Sequence, residues 1–256
     1  PKTAAYRAPG ATNAAFACET LIDELAIGLS MDPLALRLFN AAKQGSRRPD
    51  GLIYPKIGCV ETIEAMMKYN KANPILKEVN VGRGFALGYW MNDGGPSACT
   101  IIVNSDGTVN LNEGSPDIGG TRSSIAMQAA EVLGLLPEDV HPVVMDTDSI
   151  GYTSGTGGSS VTFKTGMAAY YAAQDVKRQM TEFVAYIWGL ATESILYSGG
   201  SFKSTADDNL SMTFQDVAKK MASAQIYVVG SSAIEGNGAG GAFAGCIVDV
   251  KVDEDT

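Results

Sequence analysis

Hydrophobic and polar positions change their spacing near residue 80. Before it the spacing is helical. Phe16, Thr20, Leu21, Leu25 and Ile27 spread over one broad face with Glu19, Asp23 and Glu24 opposite, which predicts a helix capped by Thr12 or Asn13 and running to about Leu29. Asp32 followed by Pro33 marks a second helix ending near Ala42, because the first turn of a helix has no use for the amide that proline lacks. Residues 45–57 hold Gly, Ser, Pro and two arginines without periodicity and read as a connection, after which residues 62–71 return to helical spacing. From Val81 the runs 82–91, 98–104 and 108–112 are aromatic and β-branched, with Asp106-Gly107 as a hairpin turn, and they predict an antiparallel sheet.

Downstream, a glycine-rich stretch at 114–122 feeds a helix over about 123–133, and a strand over 140–145 follows. A second Gly/Ser/Thr cluster, 154–160, precedes a long helical pattern over 161–190, where Ala168, Ala169, Ala172 and Ala173 permit close packing. Thr213 is placed to cap a helix over 213–222, the runs 226–229 and 246–252 read as strands, and 236–241 reads as a flexible loop without chemistry of its own. The expected fold is α+β, with helices packed on antiparallel or mixed sheets: a helical segment over 1–80 and an α+β region over 81–256.

Composition narrows the function. With 45% hydrophobic and 18% charged residues, the 256-residue chain can bury one large core or two modest ones. A net charge of −9 opposes binding to a nucleic-acid backbone. Cys18, Cys59, Cys99 and Cys246 lie far apart without a Cys-x-x-Cys pair, which suits buried free thiols better than zinc or an iron–sulfur cluster. His141 is the sole histidine, so any metal has to be brought in by a cofactor. Lacking a long apolar run or a signal-peptide layout, the chain reads as soluble without a transmembrane segment, and its two ends read as cut from something longer.

Three stretches carry candidate chemistry. In Gly114-Ser115-Pro116-Asp117-Ile118-Gly119-Gly120-Thr121-Arg122, glycines let backbone amides approach a ligand, the following helix adds its free amides and dipole, and Arg122 adds a charge that pairs with phosphate. Such a loop favours an anion, although a turn shaped only by packing explains the same glycines. It matches neither the Walker nor the dinucleotide fingerprint. The loop 155–160 repeats the arrangement with more hydroxyls and no charge, so one extended polar ligand between two helix ends fits both. Tyr6-Arg7-Ala8-Pro9-Gly10 joins an aromatic ring, a guanidinium and a constrained turn beside a helix start. A nucleophilic triad is excluded by the single imidazole and the lack of a Gly-x-Ser-x-Gly elbow. Asp146 and Asp148 suit a hard cation or, more simply, a solvated strand-end turn.

Taken in order, the segments 6–10, Glu19-Thr20-Leu21-Ile22-Asp23-Glu24-Leu25-Ala26, Asp32-Pro33-Leu34-Ala35-Leu36-Arg37-Leu38-Phe39-Asn40, 114–122, 156–160 and 245–255 resemble the molybdopterin-binding subunit of the xanthine dehydrogenase/aldehyde oxidase family of molybdenum hydroxylases. The resemblance implies a molybdenum held by a pterin dithiolene, commonly as the cytosine dinucleotide. It implies hydroxylation of an aldehyde or N-heterocycle with oxygen from water, and electrons passed to [2Fe-2S] centres and FAD on partner subunits or domains. A cytoplasmic setting is expected, with the periplasm as the alternative.

By matching position, the resemblance puts Tyr6, Arg7 and Ala8 beside the molybdenum, with Arg7 in the catalytic site. It puts Gly119, Gly120, Thr121 and Arg122, with Gly157, Gly158, Ser159 and Ser160, on the pterin or its phosphates, and it implies no direct protein ligand to the metal through these motifs. Some positions depart from the family. Pro9 stands where xanthine-type members carry a substrate-stacking phenylalanine, Gly120 where a glutamine is common, and the first loop lacks the cysteine and serine of the carbon monoxide dehydrogenase branch. The family's glutamate base belongs to a Gly-Glu motif expected downstream of residue 256. Glu235-Gly236 has the reverse order, so the chain alone is expected to lack a complete active site. A non-catalytic domain for a pterin or phosphate ligand, or a structural domain of a larger assembly, remains the alternative.

Overall fold

Local signals in the sequence become caps and turns in the computed structural model, which describes residues 6–237 and 240–255. In chain order the helices are α1 (Ala11–Gly28), α2 (Pro33–Phe39), α3 (Cys59–Ala72), α4 (Thr121–Leu133), α5 (Thr147–Ile150), α6 (Val161–Trp188) and α7 (Phe214–Ser223). The strands are β1 (Val81–Trp90), β2 (Gly95–Val103), β3 (Val109–Glu113), β4 (Val140–Val144), β5 (Ile195–Ser198), β6 (Ser201–Ser204), β7 (Ser211–Thr213), β8 (Val229–Gly236) and β9 (Ala242–Lys251). Asp32 caps α2 by accepting from the amides of Leu34 and Ala35 at 2.9 and 2.8 Å, and Thr213 caps α7 in a capping box with Asp216. The Asp106 carboxylate accepts from the Thr108 amide and hydroxyl and closes the β2–β3 turn.

Contacts divide the chain into two units, Pro1–Asn92 with Gly240–Thr256, and Asp93–Ala239. The division falls after β1 rather than before it. In the first unit β1 pairs antiparallel with β9, from Val81 opposite Lys251 to Trp90 opposite Ala242, and α1 and α3 pack on this ribbon. Contrary to the expected single antiparallel sheet, the run 82–91 does not join the strands that follow it in sequence; its partner comes from the far end of the chain.

Within α1 the inward stripe is Ala15, Glu19, Ile22, Asp23 and Ala26, while Phe16, at 78% exposure, and Leu21, Leu25 and Ile27 face outward. The predicted polarity of this helix is thus largely reversed, because Arg37 draws Glu19 and Asp23 inward while Glu24 stays exposed. Its guanidinium, only 4% exposed, reaches Glu19 Oε2 at 2.9 Å, Asp23 Oδ1 at 2.7 Å and the carbonyls of Pro33 and Phe85, and Glu19 also accepts from the Leu87 amide. One cation thereby ties α1, α2 and β1 together. The helix itself begins after Gly10, in left-handed backbone, so neither Thr12 nor Asn13 caps it.

The second unit carries a four-stranded sheet, ordered β4-β3-β2-β8, in which β3 and β4 run parallel and the other pairs antiparallel. The β3–α4–β4 crossover supplies the parallel pair. Cys99 and Ile101 on β2 and Val109 and Leu111 on β3 face α4 and α6, whose Ala168, Ala169, Ala172 and Ala173 are all fully buried. Small residues bring backbones close here: a Cβ at Gly230 of β8 would lie 2.2 Å from the Ala172 carbonyl oxygen. A three-stranded sheet, β5-β6-β7, is a further element that the periodicity did not predict. β8 occupies 229–236 rather than 226–229; of the expected loop 236–241, Gly238 and Ala239 lie outside the described residues. Among the cysteines Cys59 and Cys99 are buried and free, but Cys18 and Cys246 are exposed, against the expectation of four buried thiols. Among the described residues no helix is long and apolar enough to cross a membrane.

Candidate functional site

The first glycine loop leaves β3 through a buried polar stem. Glu113 is 1% exposed; its Oε2 accepts from the Ser115 amide, and its Oε1 has no partner among the described residues. Burial pushes this carboxyl above the usual carboxylate range. The Ser115 hydroxyl bonds that of Thr165 on α6 at 2.8 Å, and Ser97 on β2 donates to the same hydroxyl at 3.0 Å. A Cβ at Gly114 would fall 2.9 Å from Thr153 Oγ1, at the start of the second loop. Only glycine lets these two stems approach so closely.

Beyond the stem, Gly119 and Gly120 take left-handed φ of 68° and 83° and face open space, and α4 starts at Thr121. One free amide at this helix start is already engaged: Asp117 Oδ1 accepts from the Arg122 amide at 3.1 Å, and also from the Thr121 hydroxyl at 3.3 Å. Those donors hold the Asp117 carboxyl below its ordinary range. An internal carboxylate therefore serves the helix end that the glycine pattern offered to an external anion. Gly119, Gly120 and Arg122 stay exposed around it.

The second loop opens α6. Gly158 and Ser159 both take left-handed backbone, at φ 57° and 58°; Gly157 is exposed with nothing near its Cα; Ser160 is buried. The Asp93 amide donates to the Gly158 carbonyl at 2.9 Å, and a Cβ at Gly158 would sit 2.0 Å from Asp93 Oδ2, so the turn is packed against that residue. Beneath the loop lies Lys164, fully buried, whose ammonium donates to the Ser154 carbonyl at 2.7 Å, the Ser154 hydroxyl at 2.6 Å and the Gly155 carbonyl at 3.0 Å. Desolvation draws its pKa below the ordinary lysine value. The loop described from sequence as uncharged thus sits on a cation.

α4 and α6 pack together: Gln128, midway along α4, donates to the Thr162 carbonyl at the start of α6 at 3.2 Å, and a side chain at Gly166 would overlap that glutamine. The structure therefore brings Gly119–Arg122 and Gly157–Ser160 into one unit, with the stem of the first loop tied to the second turn of α6 by the Ser115–Thr165–Ser97 hydroxyl chain. Tyr6, Arg7 and Ala8 belong to the other unit. There Arg7 and Ala8 take left-handed φ of 50° and 53°, a conformation costing of order 1–2 kcal/mol per non-glycine residue. Asp146 accepts from the Asp148 amide and caps α5, the strand-end turn rather than the cation site.

Glu113, Asp117 and Lys164 were not singled out by the sequence reading. Lys164 had a signal, since it heads the i, i+4 row Lys164, Ala168, Ala172, Val176 and Met180 of buried residues on α6. A lysine in such a row has to find acceptors.

Comparison with known proteins agrees with this architecture. Models of the molybdopterin cofactor-binding domain match residues 61–256 and residues 1–41. The chain is 26% identical over 200 residues to a xanthine dehydrogenase molybdenum-binding subunit of Escherichia coli O157:H7, covering 72% of this chain and 27% of that protein. It is 30% identical over 188 residues to the aldehyde oxidoreductase molybdenum-binding subunit PaoC of the same organism, covering 70% and 25%. The chain thus spans about a quarter of the length of these relatives. A solved structure of reconstituted CO dehydrogenase from Oligotropha carboxidovorans has the same fold, with a TM-score of 0.80 at 20% identity over 97% of this chain and 36% of that one. The chain belongs to the molybdopterin cofactor-binding domain family, in the xanthine dehydrogenase/aldehyde oxidoreductase group of molybdenum hydroxylase subunits.

Proposed function

We propose that this chain forms part of the cofactor-binding region of a molybdenum hydroxylase acting on an aldehyde or N-heterocycle, with Gly119–Arg122 and Gly157–Ser160 holding a molybdopterin, the cytosine dinucleotide being the form proposed. The observation that carries the reading is the pair of glycine loops opening two packed helices in one unit. The residues present suit such a group. Gly119, Gly120 and Gly157 leave open space for backbone approach, and Thr121 and Ser159 add accessible hydroxyls, with Ser160 buried beneath them. When bound, the cofactor supplies the redox chemistry of hydroxylation, with water as the oxygen source.

The protein's part is to bind and orient. Arg7, with Tyr6 and Ala8, is assigned to the reacting end, and its left-handed backbone is the kind of strain that functional loops retain. Because the Asp117 carboxylate sits on the Arg122 amide at the start of α4, the first loop is suited to the neutral, donor-bearing part of a pterin, and phosphate to the second loop. Electrons are proposed to leave through [2Fe-2S] and flavin partners. The test is molybdenum and pterin content of protein from a host that makes the cofactor, followed by aldehyde and N-heterocycle oxidation by a subunit that joins this chain to the glutamate segment expected downstream, with the iron–sulfur and flavin partners present. Molybdenum near one per chain with turnover supports the proposal. Pterin bound without turnover supports the non-catalytic alternative, and neither metal nor pterin overturns cofactor binding.

A further inference from the structure

The two helix ends that face the proposed ligand differ in charge. At α4 the helix dipole is answered from within by the Asp117 carboxylate. At α6 a lysine occupies the fourth helical position, where the positive end of the dipole disfavours a cation, and the side chain is fully buried. Among the described residues Lys164 forms no ion pair. Asp93, whose carboxylate packs on Gly158, is exposed and does not contact it within bonding distance. All three acceptors of the ammonium come from Ser154 and Gly155, directly before the cofactor-facing residues. Gly95 leaves room for this, since a Cβ there would lie 2.8 Å from Ser154 Oγ. A neutral side chain of the same length would fill the space at lower electrostatic cost, so packing alone does not account for a charge.

We propose that Lys164 is the positioning residue of the second loop: it holds Ser154 and Gly155 in place and supplies the uncompensated positive charge that draws a phosphate of the ligand to Gly157–Ser160. The inference rests on the assignment of that loop to the cofactor and adds the residue that selects an anionic group there. It also explains why the first loop can keep its own carboxylate, since the anion is received at the other helix.

The experiment compares wild type, Lys164→Met and Gly157→Leu, each as the full chain from a cofactor-producing host. Retained pterin is measured fluorimetrically after washes of rising ionic strength, and the melting temperature is measured on cofactor-free protein. Lys164→Met is expected to retain at least about tenfold less pterin at low salt, the effect of losing one nearby buried charge and the loop position it holds. Its cofactor-free melting temperature is expected to stay close to that of wild type, relief of the buried charge offsetting the hydrogen bonds lost at Ser154 and Gly155. Pterin retention within roughly twofold of wild type overturns the inference. So does a Lys164→Met protein that fails to fold or melts several degrees lower, because the lysine then serves the fold. Gly157→Leu separates the two levels of the argument. Loss of pterin in Gly157→Leu alone refutes the role of Lys164 but keeps the loop, whereas full retention in both variants refutes the loop assignment itself.

Discussion

Arg37→Met tests how the first unit is held together. The substitution keeps the side-chain stem and removes five hydrogen bonds, two of them to the Glu19 and Asp23 carboxylates. Glu19, with its side chain only 14% exposed, loses its cation but stays anchored by the Leu87 amide, so it cannot swing into water without breaking a second bond. Stranding a buried charge in this way costs about 3–5 kcal/mol. Asp23 is 30% exposed and adds little, since water screens it. The expected loss is therefore about 3–4 kcal/mol, a fall of roughly 1.5–2 M in urea midpoint at an ordinary m-value. The chain has one tryptophan in each unit, Trp90 on β1 and Trp188 on α6, so fluorescence of a Trp188→Phe background reports on the first unit alone. Adding Glu19→Gln to Arg37→Met should recover part of the loss, because the stranded charge disappears. A midpoint unchanged by Arg37→Met would show that the network is solvated surface and that α1 docks by other means.

Two further predictions concern the stem and cap of the first loop. Glu113 has a raised pKa in the folded chain, so the folded state binds its proton more tightly and stability falls as pH rises through that pKa. Glu113→Gln should therefore be more stable than wild type in urea titrations above neutral pH, the gain vanishing below the pKa of an unfolded glutamate; a gain that grows on acidification contradicts the assignment. Asp117 has the opposite sign: its contribution is present above the unfolded carboxylate pKa and is lost as pH falls through the lowered folded value. Asp117→Asn should lower the melting temperature at neutral pH and lose its effect in acid, and a constant difference across the titration would refute the helix-end role.

Features written in neighbouring residues were legible in the sequence. Asp32 with Pro33, Thr213 with Asp216, and Asp106-Gly107 each form the cap or turn that their chemistry predicts. The two glycine loops were found by composition, and their placement on helix starts followed from the apolar spacing after them. What depended on distant partners was not legible. β1 pairs with β9 across more than half the chain, and β8 runs through a Gly-Ser-Ser stretch of weak strand preference, held by β2 and α6. The orientation of α1 was misread because apolar spacing was taken to mark the buried face, whereas a single arginine on the next helix reverses it. In the site, the positions of the loops were readable but their charges were not. Asp117 lies inside the first glycine loop and Lys164 beyond the second, and only the fold shows that one neutralises its helix while the other adds to the positive end of its own.

If the paired loops hold the cofactor as proposed, Gly157→Leu blocks its binding without disturbing the fold. Gly157 is exposed, has no left-handed backbone, and a Cβ there meets nothing within 4 Å, so the substitution reaches into the volume assigned to the ligand. Molybdenum and pterin per chain, measured beside the cofactor-free melting temperature, should fall at least about tenfold while the melting temperature stays within error of wild type. Unchanged molybdenum and pterin in a folded Gly157→Leu protein would contradict the account.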